Sequence, residues 1–185
     1  MTRWAMVVDL RRCVGCQSCT TACQRGNDVP LGTFYTFVTT VGPTGIYPTL
    51  GMYHLPVLCM HCENPPCVPC CPTGATTQRE DGIVLVDADR CIGCGACVMA
   101  CPYHARTRHP TKGVAQKCTL CVSRLEVGQQ PFCVVNCHQR ARILGDLDDP
   151  NSQVFRLVNT AFPIQLLPES GTNPQVYYIM PTGGR

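Results

Sequence analysis

The chain has 185 residues and a formal net charge of +3 at pH 7, and it contains 17 cysteines, 16 glycines and 16 prolines. A hydrophobic content of 45% excludes a disordered chain, and an aromatic content of 6% excludes a core built from large aromatic side chains. Cysteine is several-fold more frequent than in ordinary domains, so cross-links or metal centres are expected to supply much of the stability.

The first part of the chain predicts a strand that leads into a cysteine-rich loop. Residues Ala5 to Leu10 form an apolar run of strand length. A group with the spacing C-x2-C-x2-C-x3-C follows, comprising Cys13, Cys16, Cys19 and Cys23. Residues 24–58 contain Gly42-Pro43, which predicts a turn-rich excursion, and the alternation in residues 34–38 predicts one short strand within it.

The middle of the chain carries two further cysteine groups, each followed by proline. The second group has the spacing x2, x4, x3 and the third has the spacing x2, x2, x3; they comprise Cys59, Cys62, Cys67 and Cys71, and Cys91, Cys94, Cys97 and Cys101. Glu80-Asp81-Gly82 between them predicts a β-hairpin, so residues 59–101 are expected to form one unit. Cys70 is out of register with the third group, and we interpret it as a buried bystander and not as a ligand.

The last part of the chain predicts one more group, a helix and a tail. Residues 102–117 are expected to link back to a fourth group with the spacing x2, x11, x3, which comprises Cys118, Cys121, Cys133 and Cys137. Asp149-Pro150-Asn151 predicts the start of a helix with proline in its first turn, and its apolar face is expected to contain Val154, Phe155, Leu157 and Val158. Residues 161–185 include four prolines, which predict an extended tail wrapped over the molecule or onto a partner.

Three kinds of cross-link compete for these cysteines. Disulfides are typical of small exported domains, but Asp9 and Arg11 interrupt any apolar segment of signal-peptide length, and 17 cysteines cannot all pair. Zinc favours two cysteine pairs that lie far apart in the chain. A C-x2-C-x2-C run instead places three thiolates within seven residues, an arrangement that wraps one [4Fe–4S] cluster while the next cysteine reaches another. The spacing therefore predicts four [4Fe–4S] clusters.

The exchange of the last cysteine between two groups predicts which thiolates share a cluster. Groups two and three exchange within the inner unit, and groups one and four are then paired by elimination. We name the resulting sets as follows: set 1 is Cys13, Cys16, Cys19 and Cys137; set 2 is Cys118, Cys121, Cys133 and Cys23; set 3 is Cys59, Cys62, Cys67 and Cys101; set 4 is Cys91, Cys94, Cys97 and Cys71. Sixteen thiolates and four oxidised cores would change the net charge to about −5.

These motifs resemble those of the four-cluster iron–sulfur (beta) subunits of the dimethyl sulfoxide reductase family of molybdenum or tungsten oxidoreductases. The resemblance covers nearly the whole chain and is carried by Val8-Asp9-Leu10 with Cys13-Val-Gly-Cys-Gln-Ser-Cys19, by His61-Cys-Glu-Asn-Pro-Pro-Cys67, by Cys91-Ile-Gly-Cys-Gly-Ala-Cys97 with Cys101-Pro-Tyr103, by Lys117-Cys-Thr-Leu-Cys121, and by residues 145–152. Residues 167–172 and 176–178, with the compact length, most resemble the polysulfide and thiosulfate reductase branch. Arsenate and tetrathionate reductase subunits are close behind.

Two histidines depart from the pattern of this family. His138 follows Cys137 where proline is frequent, and His104 follows Cys101-Pro-Tyr where a small residue is usual. We interpret both as exposed loop histidines. The alternative for His138 is a hydrogen-bond donor that raises the potential of the neighbouring cluster.

The resemblance implies a non-catalytic electron-transfer subunit of a respiratory oxidoreductase. Set 1 would face a molybdopterin-containing catalytic subunit, and set 4 would face a quinone-binding membrane anchor subunit. We expect an α+β fold of two ferredoxin-like lobes related by approximate two-fold symmetry, one inserted in the other. The outer lobe comprises residues 1–58 and 102–145, the inner lobe residues 59–101, and a C-terminal helix and tail residues 146–185.

The location of the protein is expected to follow from its partner. No apolar run approaches the roughly 18 residues of a membrane span, so the sequence predicts no span. No apolar core follows Arg11-Arg12, so the sequence predicts no twin-arginine signal there. The resemblance implies export in the folded state together with the catalytic subunit. We expect the periplasmic or outer face of the cytoplasmic membrane; the alternative is a cytoplasmic subunit of a formate dehydrogenase or hydrogenase.

Other classes of function fit the sequence less well. An iron–sulfur enzyme would need a cluster with an open iron, but each set has four cysteines. A zinc-based scaffold would be distinguished by metal analysis. The basic residues are scattered and are not interleaved with aromatic residues, which argues against nucleic-acid binding. The one local basic patch, Arg106, Arg108 and Lys112, is interpreted as a solvated face.

Overall fold

Short elements joined by long loops make up the computed structural model, which describes residues 2–181. The helices are few, and only α1 and α5 have eight or more residues, so the fold is a mixed α and β one as predicted. The elements in chain order are β1 (Trp4–Asp9), α1 (Ser18–Gly26), β2 (Thr36–Ile46), β3 (Thr49–Leu58), β4 (Thr76–Gln78), β5 (Val84–Val86), α2 (Ala96–Met99), β6 (Arg106–Arg108), β7 (Ala115–Lys117), α3 (Val122–Leu125), α4 (Phe132–Val135), β8 (Arg142–Asp146), α5 (Gln153–Thr160) and β9 (Val176–Ile179).

A three-stranded sheet with the order β8-β1-β9 lies at the centre. The apolar run at the start of the chain forms its middle strand, as predicted, and is buried on both faces. β8 pairs with β1 in the antiparallel sense, and β9 pairs with it in the parallel sense, with Met6 opposite Val176. The extended C-terminal segment therefore completes this sheet. Its sequence pattern predicts extended chain but not the partner, because pairing depends on contacts across the whole molecule.

The excursion after the first cysteine group is a long hairpin and not one short strand. β2 and β3 pair in the antiparallel sense from Thr36 opposite Leu58 to Ile46 opposite Thr49. The prediction of a single strand in residues 34–38 is wrong in extent, because Gly42-Pro43 lies at a register irregularity that the hairpin tolerates. The side chains at its tip are exposed.

One smaller hairpin lies between the two inner cysteine groups, and another follows them in the chain. β4 and β5 pair around Gly82, whose φ of +83° suits a tight turn, and this confirms the hairpin predicted there. β6 and β7 form a second antiparallel hairpin, with Arg106 opposite Lys117. The sequence predicts residues 102–117 only as a link, because strands of three residues are too short for a pattern of alternation to show.

Helix α5 packs on the outer face of the central sheet. Val154, Leu157 and Val158 join Ala5 and Val7 in one apolar cluster, which confirms a helix with an apolar face in this segment. Phe155, which was predicted on the same face, is half-buried and lies outside this cluster. The predicted start is wrong, since the Ser152 hydroxyl caps the helix by accepting from the Val154 N–H, and Pro150 precedes this cap. Among the helices of residues 2–181, none is long and apolar enough to cross a membrane.

Candidate metal centres

The four cysteines of set 1 line one cavity. The loop after β1 supplies two of them, α1 supplies the third, and the segment between α4 and β8 supplies the fourth. Gly15 has a φ of +71°, and a Cβ at this position would lie 2.7 Å from His54 Nδ1, so glycine is required for the loop to fit here. The Ala141 N–H donates to Cys137 Sγ at 3.2 Å. Residues from the two ends of the cysteine pattern thus meet at one point.

The four cysteines of set 2 line a second cavity, and all four are buried. The side-chain amide nitrogen of Asn27 lies 3.6 Å from both Cys23 Sγ and Cys121 Sγ, and the Leu120 N–H donates to Cys118 Sγ at 3.3 Å. Burial raises the pKa of Cys23 to about 12, and the nearby cysteines contribute to this rise. Such thiols become thiolates here only if a positive charge, such as that of iron, compensates.

Set 3 occupies the interior of the inner unit. Cys59, Cys62 and Cys67 are buried and Cys101 is half-buried. Burial raises the pKa of Cys62 to about 12, and the other three cysteines of the set add to this shift, which places all four within electrostatic reach of one another. Arg106 Nη2 donates to Cys67 Sγ at 3.0 Å. This donor stabilises negative charge on the sulfur.

Set 4 is as open to solvent as set 1. Cys97 is buried, Cys91 and Cys71 are half-buried, and Cys94 is exposed. Cys91 and Cys97 belong to one small apolar cluster, and the Ala115 N–H donates to Cys91 Sγ at 3.4 Å. Cys71 and Cys94 lie outside this cluster. The membership of Cys71 and Cys94 in set 4 therefore stays a prediction.

The environment of Cys70 differs from the expected one. Its side chain is half-buried, so the prediction of a buried bystander is wrong in degree. Burial raises its pKa, and the next contribution comes from Cys97, with which it shares the small apolar cluster. The reason is that the loop of residues 67–71 turns this side chain toward the third cysteine group.

The donor sets suit a group larger than one metal ion. Among residues 2–181, no three histidine, cysteine or acidic side chains converge closely enough to hold a single ion. Around one zinc ion four sulfurs stand within about 2.3 Å of the metal, whereas in a [4Fe–4S] cluster each thiolate binds a different iron and the thiolates stand further apart. His61 Nδ1 accepts from the Val84 N–H, and its buried Nε2 has no partner within the described residues. An anionic group nearby would satisfy this donor.

The charged and polar residues around the sets were only partly predictable. His104 and His138 are exposed, as predicted. Arg106 is buried, so its interpretation as part of a solvated face is wrong; the reason is that β6 turns it toward Cys67. Asn27, Lys117 and Arg142 also reach the cysteine sets. In the sequence only Lys117 carries a signal of this, because it directly precedes Cys118.

The matches of this chain with known proteins agree with one another. Residues 50–147 match the 4Fe-4S dicluster domain, and residues 11–26 match a 4Fe-4S binding domain. The chain is 50% identical to the tetrathionate reductase B subunit of Salmonella typhimurium over 96% of this chain and 72% of that protein. It is 46% identical to the thiosulfate reductase electron transfer subunit PhsB of Salmonella typhi, covering 82% and 80%. It is 36% identical to the arsenate respiratory reductase iron-sulfur subunit ArrB of a Shewanella species, covering 98% and 97%.

Proposed function

Because this chain belongs to the iron–sulfur subunits of the dimethyl sulfoxide, tetrathionate and thiosulfate reductase family, we propose that it relays electrons through sets 1 to 4 between a molybdopterin catalytic subunit and a quinone-linked membrane subunit. The chain is an electron-transfer subunit that carries [4Fe–4S] clusters and serves a catalytic partner. The identity of that partner's substrate lies outside this chain. Polysulfide or thiosulfate is our first candidate, and tetrathionate or arsenate the second.

The observation that carries this proposal is the difference in exposure between the sets. Sets 1 and 4 each contain one exposed cysteine, Cys16 and Cys94. In sets 2 and 3, seven of the eight cysteines are buried and Cys101 is half-buried. An electron-transfer chain needs accessible ends and an insulated middle, since solvent exposure and burial set the potentials and decide which centres a partner reaches.

Consecutive sets also adjoin one another, and a relay of electrons needs such short distances between its centres. Set 1 adjoins set 2, because α1 carries Cys19 of set 1 and Cys23 of set 2, which lie one helical turn apart. Set 2 adjoins set 3, because Leu58, which lines the cavity of set 2, directly precedes Cys59 of set 3. Set 3 adjoins set 4, because Cys67 and Cys97 pack in one apolar cluster. These contacts support the sequence 1–2–3–4.

The residues of this chain bind and tune the clusters. When bound, a [4Fe–4S] cluster supplies a centre that accepts and returns one electron. The cysteines named in sets 1 to 4 would hold it, and N–H groups of Leu120, Ala115 and Ala141 donate to their sulfurs. Donors to sulfur favour the more negative, reduced state and so raise the potential. Apolar packing around sets 2 and 3 excludes water from the middle of the chain.

The two accessible ends have apolar neighbours that suit docking. Val14, beside set 1, is 57% exposed, and Met99, beside set 4, is 87% exposed. Exposed apolar side chains at a site of transfer fit contact with another protein. By family resemblance, set 1 would meet the catalytic subunit and set 4 the membrane subunit. The export of the complex to the outer face of the membrane, with the signal on the catalytic subunit, is part of the same proposal.

The proposal includes the arrangement of two ferredoxin-like lobes that the sequence predicts. The inner lobe would comprise residues 59–101, and the outer lobe residues 1–58 and 102–145, with residues 146–185 as helix and tail. The cavities of sets 1 and 2 each combine cysteines of the first and fourth groups, which supports an outer lobe closed around the inner one. Approximate two-fold symmetry between the lobes follows from the same exchange of last cysteines.

Anaerobic purification with metal and sulfide analysis tests the function. We expect roughly sixteen irons and sixteen acid-labile sulfides per chain, four one-electron signals in a redox titration followed by electron paramagnetic resonance, and co-purification of a catalytic subunit. A few zinc ions per chain and no iron would contradict the proposal.

A further inference from the structure

Three cations are buried next to the cysteine sets without a carboxylate. Arg106, Lys117 and Arg142 are each only 3% exposed. The ion pairs formed within residues 2–181 all join surface arginines to acidic residues, and none involves these three side chains. A buried charge without a counter-charge is strongly unfavourable, so each of these cations requires negative charge nearby.

Arg142 lies between sets 1 and 2. It lines the cavity of set 1, and its Nη2 donates at 2.7 Å to Thr36 Oγ1, which lines the cavity of set 2. Burial alone would lower the pKa of Arg142, but the thiols of Cys133 in set 2 and Cys19 in set 1 raise it above its ordinary value. Its guanidinium therefore faces sulfurs from both sets.

Lys117 lies between sets 2 and 3. Its Nζ donates to the main-chain oxygen of Cys118 in set 2 at 2.7 Å and to the main-chain oxygen of Val84, which packs against Cys67 of set 3. Burial raises the pKa values of Cys118 and Cys67, and the ammonium of Lys117 opposes both shifts. One ammonium thus acts on sulfurs of two sets.

Arg106 lies between sets 3 and 4. Its Nη2 donates to Cys67 Sγ in set 3 at 3.0 Å, and its Nη1 donates to Thr76 Oγ1 at 3.2 Å. Cys67 packs with Cys97 of set 4 in one apolar cluster, and α2, which carries Cys97, contacts β6, which carries Arg106. This places the third cation in the third gap.

The β6–β7 hairpin gives a second reason to expect negative charge near two of these cations. Arg106 and Lys117 stand directly opposite each other in the register of the two strands. Like charges at such a cross-strand position destabilise a hairpin in water, and burial strengthens the repulsion. The hairpin is therefore favourable only when anionic groups lie close to both side chains.

We propose that Arg142, Lys117 and Arg106 are the counter-charges of the electron-transfer chain, one in each gap between consecutive sets. This inference rests on the proposed function, because the anions that it requires are the cysteine-ligated clusters of sets 1 to 4. Each transfer moves one electron, so that one centre is oxidised as the next is reduced and no bond forms or breaks. A cation shared by two centres attracts the electron on either side and offsets the repulsion between electrons on neighbouring centres. It therefore raises both potentials together.

The experiment is a redox titration of variants in the complex with the catalytic partner, purified anaerobically. Each paramagnetic signal is first assigned by the cysteine variant that removes it. We expect Arg106→Met to lower the midpoint potentials of the signals from sets 3 and 4, and Arg142→Met those from sets 1 and 2. The expected fall in the equilibrium constant for reduction is about tenfold or more, or about 59 mV for a one-electron couple. Arg106→Lys and Arg142→Lys keep the charge and are expected to retain the wild-type potentials.

The outcomes separate this inference from the proposed function. If the wild-type complex lacks four clusters, the proposed function fails. If it holds four, but the methionine variants shift all potentials equally or shift none, or the lysine variants shift them as much, then only the counter-charge inference is overturned. Where a methionine variant loses iron, Arg106→Gln and Arg142→Gln replace it, because glutamine removes the charge but keeps an N–H donor.

Discussion

At the scale of single residues, the adjacent cysteines Cys70 and Cys71 have opposite environments. The main-chain N–H of Thr76 is the largest of several hydrogen-bond contributions that lower the pKa of Cys71 to about 7. Burial and the nearby Cys97 instead raise the pKa of Cys70. The N–H groups directed at Cys71 stabilise its thiolate, which is the form that binds a metal. The chemistry thus favours Cys71 as the ligand although Cys70 packs closer to the third group.

Cys71→Ser is therefore expected to remove one cluster. Iron content should fall by about a quarter, that is by roughly four irons per chain, because one cubane loses a ligand. Cys70→Ser is the matched control and should leave the iron content unchanged. Iron and sulfide analysis of both variants checks this. The reverse result would assign Cys70 to set 4 and replace Cys71.

Asn27 offers a second test at this scale, because its amide reaches two sulfurs of set 2. Asn27→Ala is expected to lower the potential of that cluster, since it removes a donor to Cys23 and Cys121. Asn136→Ala is the matched control. Both asparagines end a helix and donate at 3.0 Å to the carbonyl four residues earlier, but the amide of Asn136 donates to that carbonyl and not to a sulfur. Both variants should lose about 1 kcal/mol of stability, and only the first should shift a potential.

At the scale of elements, the sequence predicts what is local and misses what depends on pairing. The cysteine spacing predicts the metal centres because three ligands of a cluster lie within seven residues. The strand β1, the β4–β5 hairpin and helix α5 also follow from short patterns. The burial of Arg142 does not, because β8 pairs with β1, which lies far away in the chain. The burial of Arg106 does not, because β6 and β7 are too short for a pattern of alternation to show. The extent of the β2–β3 hairpin was hidden by its internal glycine and proline.

The contact of helix α5 with β8 depends on one glycine. A Cβ at Gly145 would lie 2.6 Å from Ser152 Oγ and 3.2 Å from Val154 Cγ2, so the cap and the first turn of α5 leave no room for a side chain. Gly145→Ala is expected to destabilise the protein by about 1–3 kcal/mol through overpacking. Gly51→Ala is the matched strand control, because a Cβ at Gly51 meets nothing within 4 Å. Unfolding temperatures of the holoprotein, at one scan rate, should fall for the first variant alone.

At the scale of the whole molecule, the buried interior differs in charge and in exposure from the two accessible cysteine sets, sets 1 and 4. The interior concentrates sulfur, buried cations and apolar side chains, whereas the ends expose one cysteine each. Nine of the buried apolar side chains are cysteines of the four sets, so cluster binding and folding are expected to be coupled. We therefore expect the thiolates that bind the clusters to stabilise the fold by the same contacts that position the clusters for transfer.

Electron exchange at set 1 and electron exchange at set 4 are expected to respond independently to substitutions at the surface. Met99→Glu places a charge beside set 4 and should slow electron exchange with the membrane subunit several-fold, because it opposes apolar docking there. Val14→Glu should slow exchange with the catalytic subunit in the same way and leave the quinone side unchanged. Both variants should retain full iron content and wild-type midpoint potentials at the far end. The measurement is stopped-flow reduction by a quinol and oxidation by the partner's substrate. If Met99→Glu slows the step at the catalytic subunit instead, the orientation of the relay is the reverse of the one proposed.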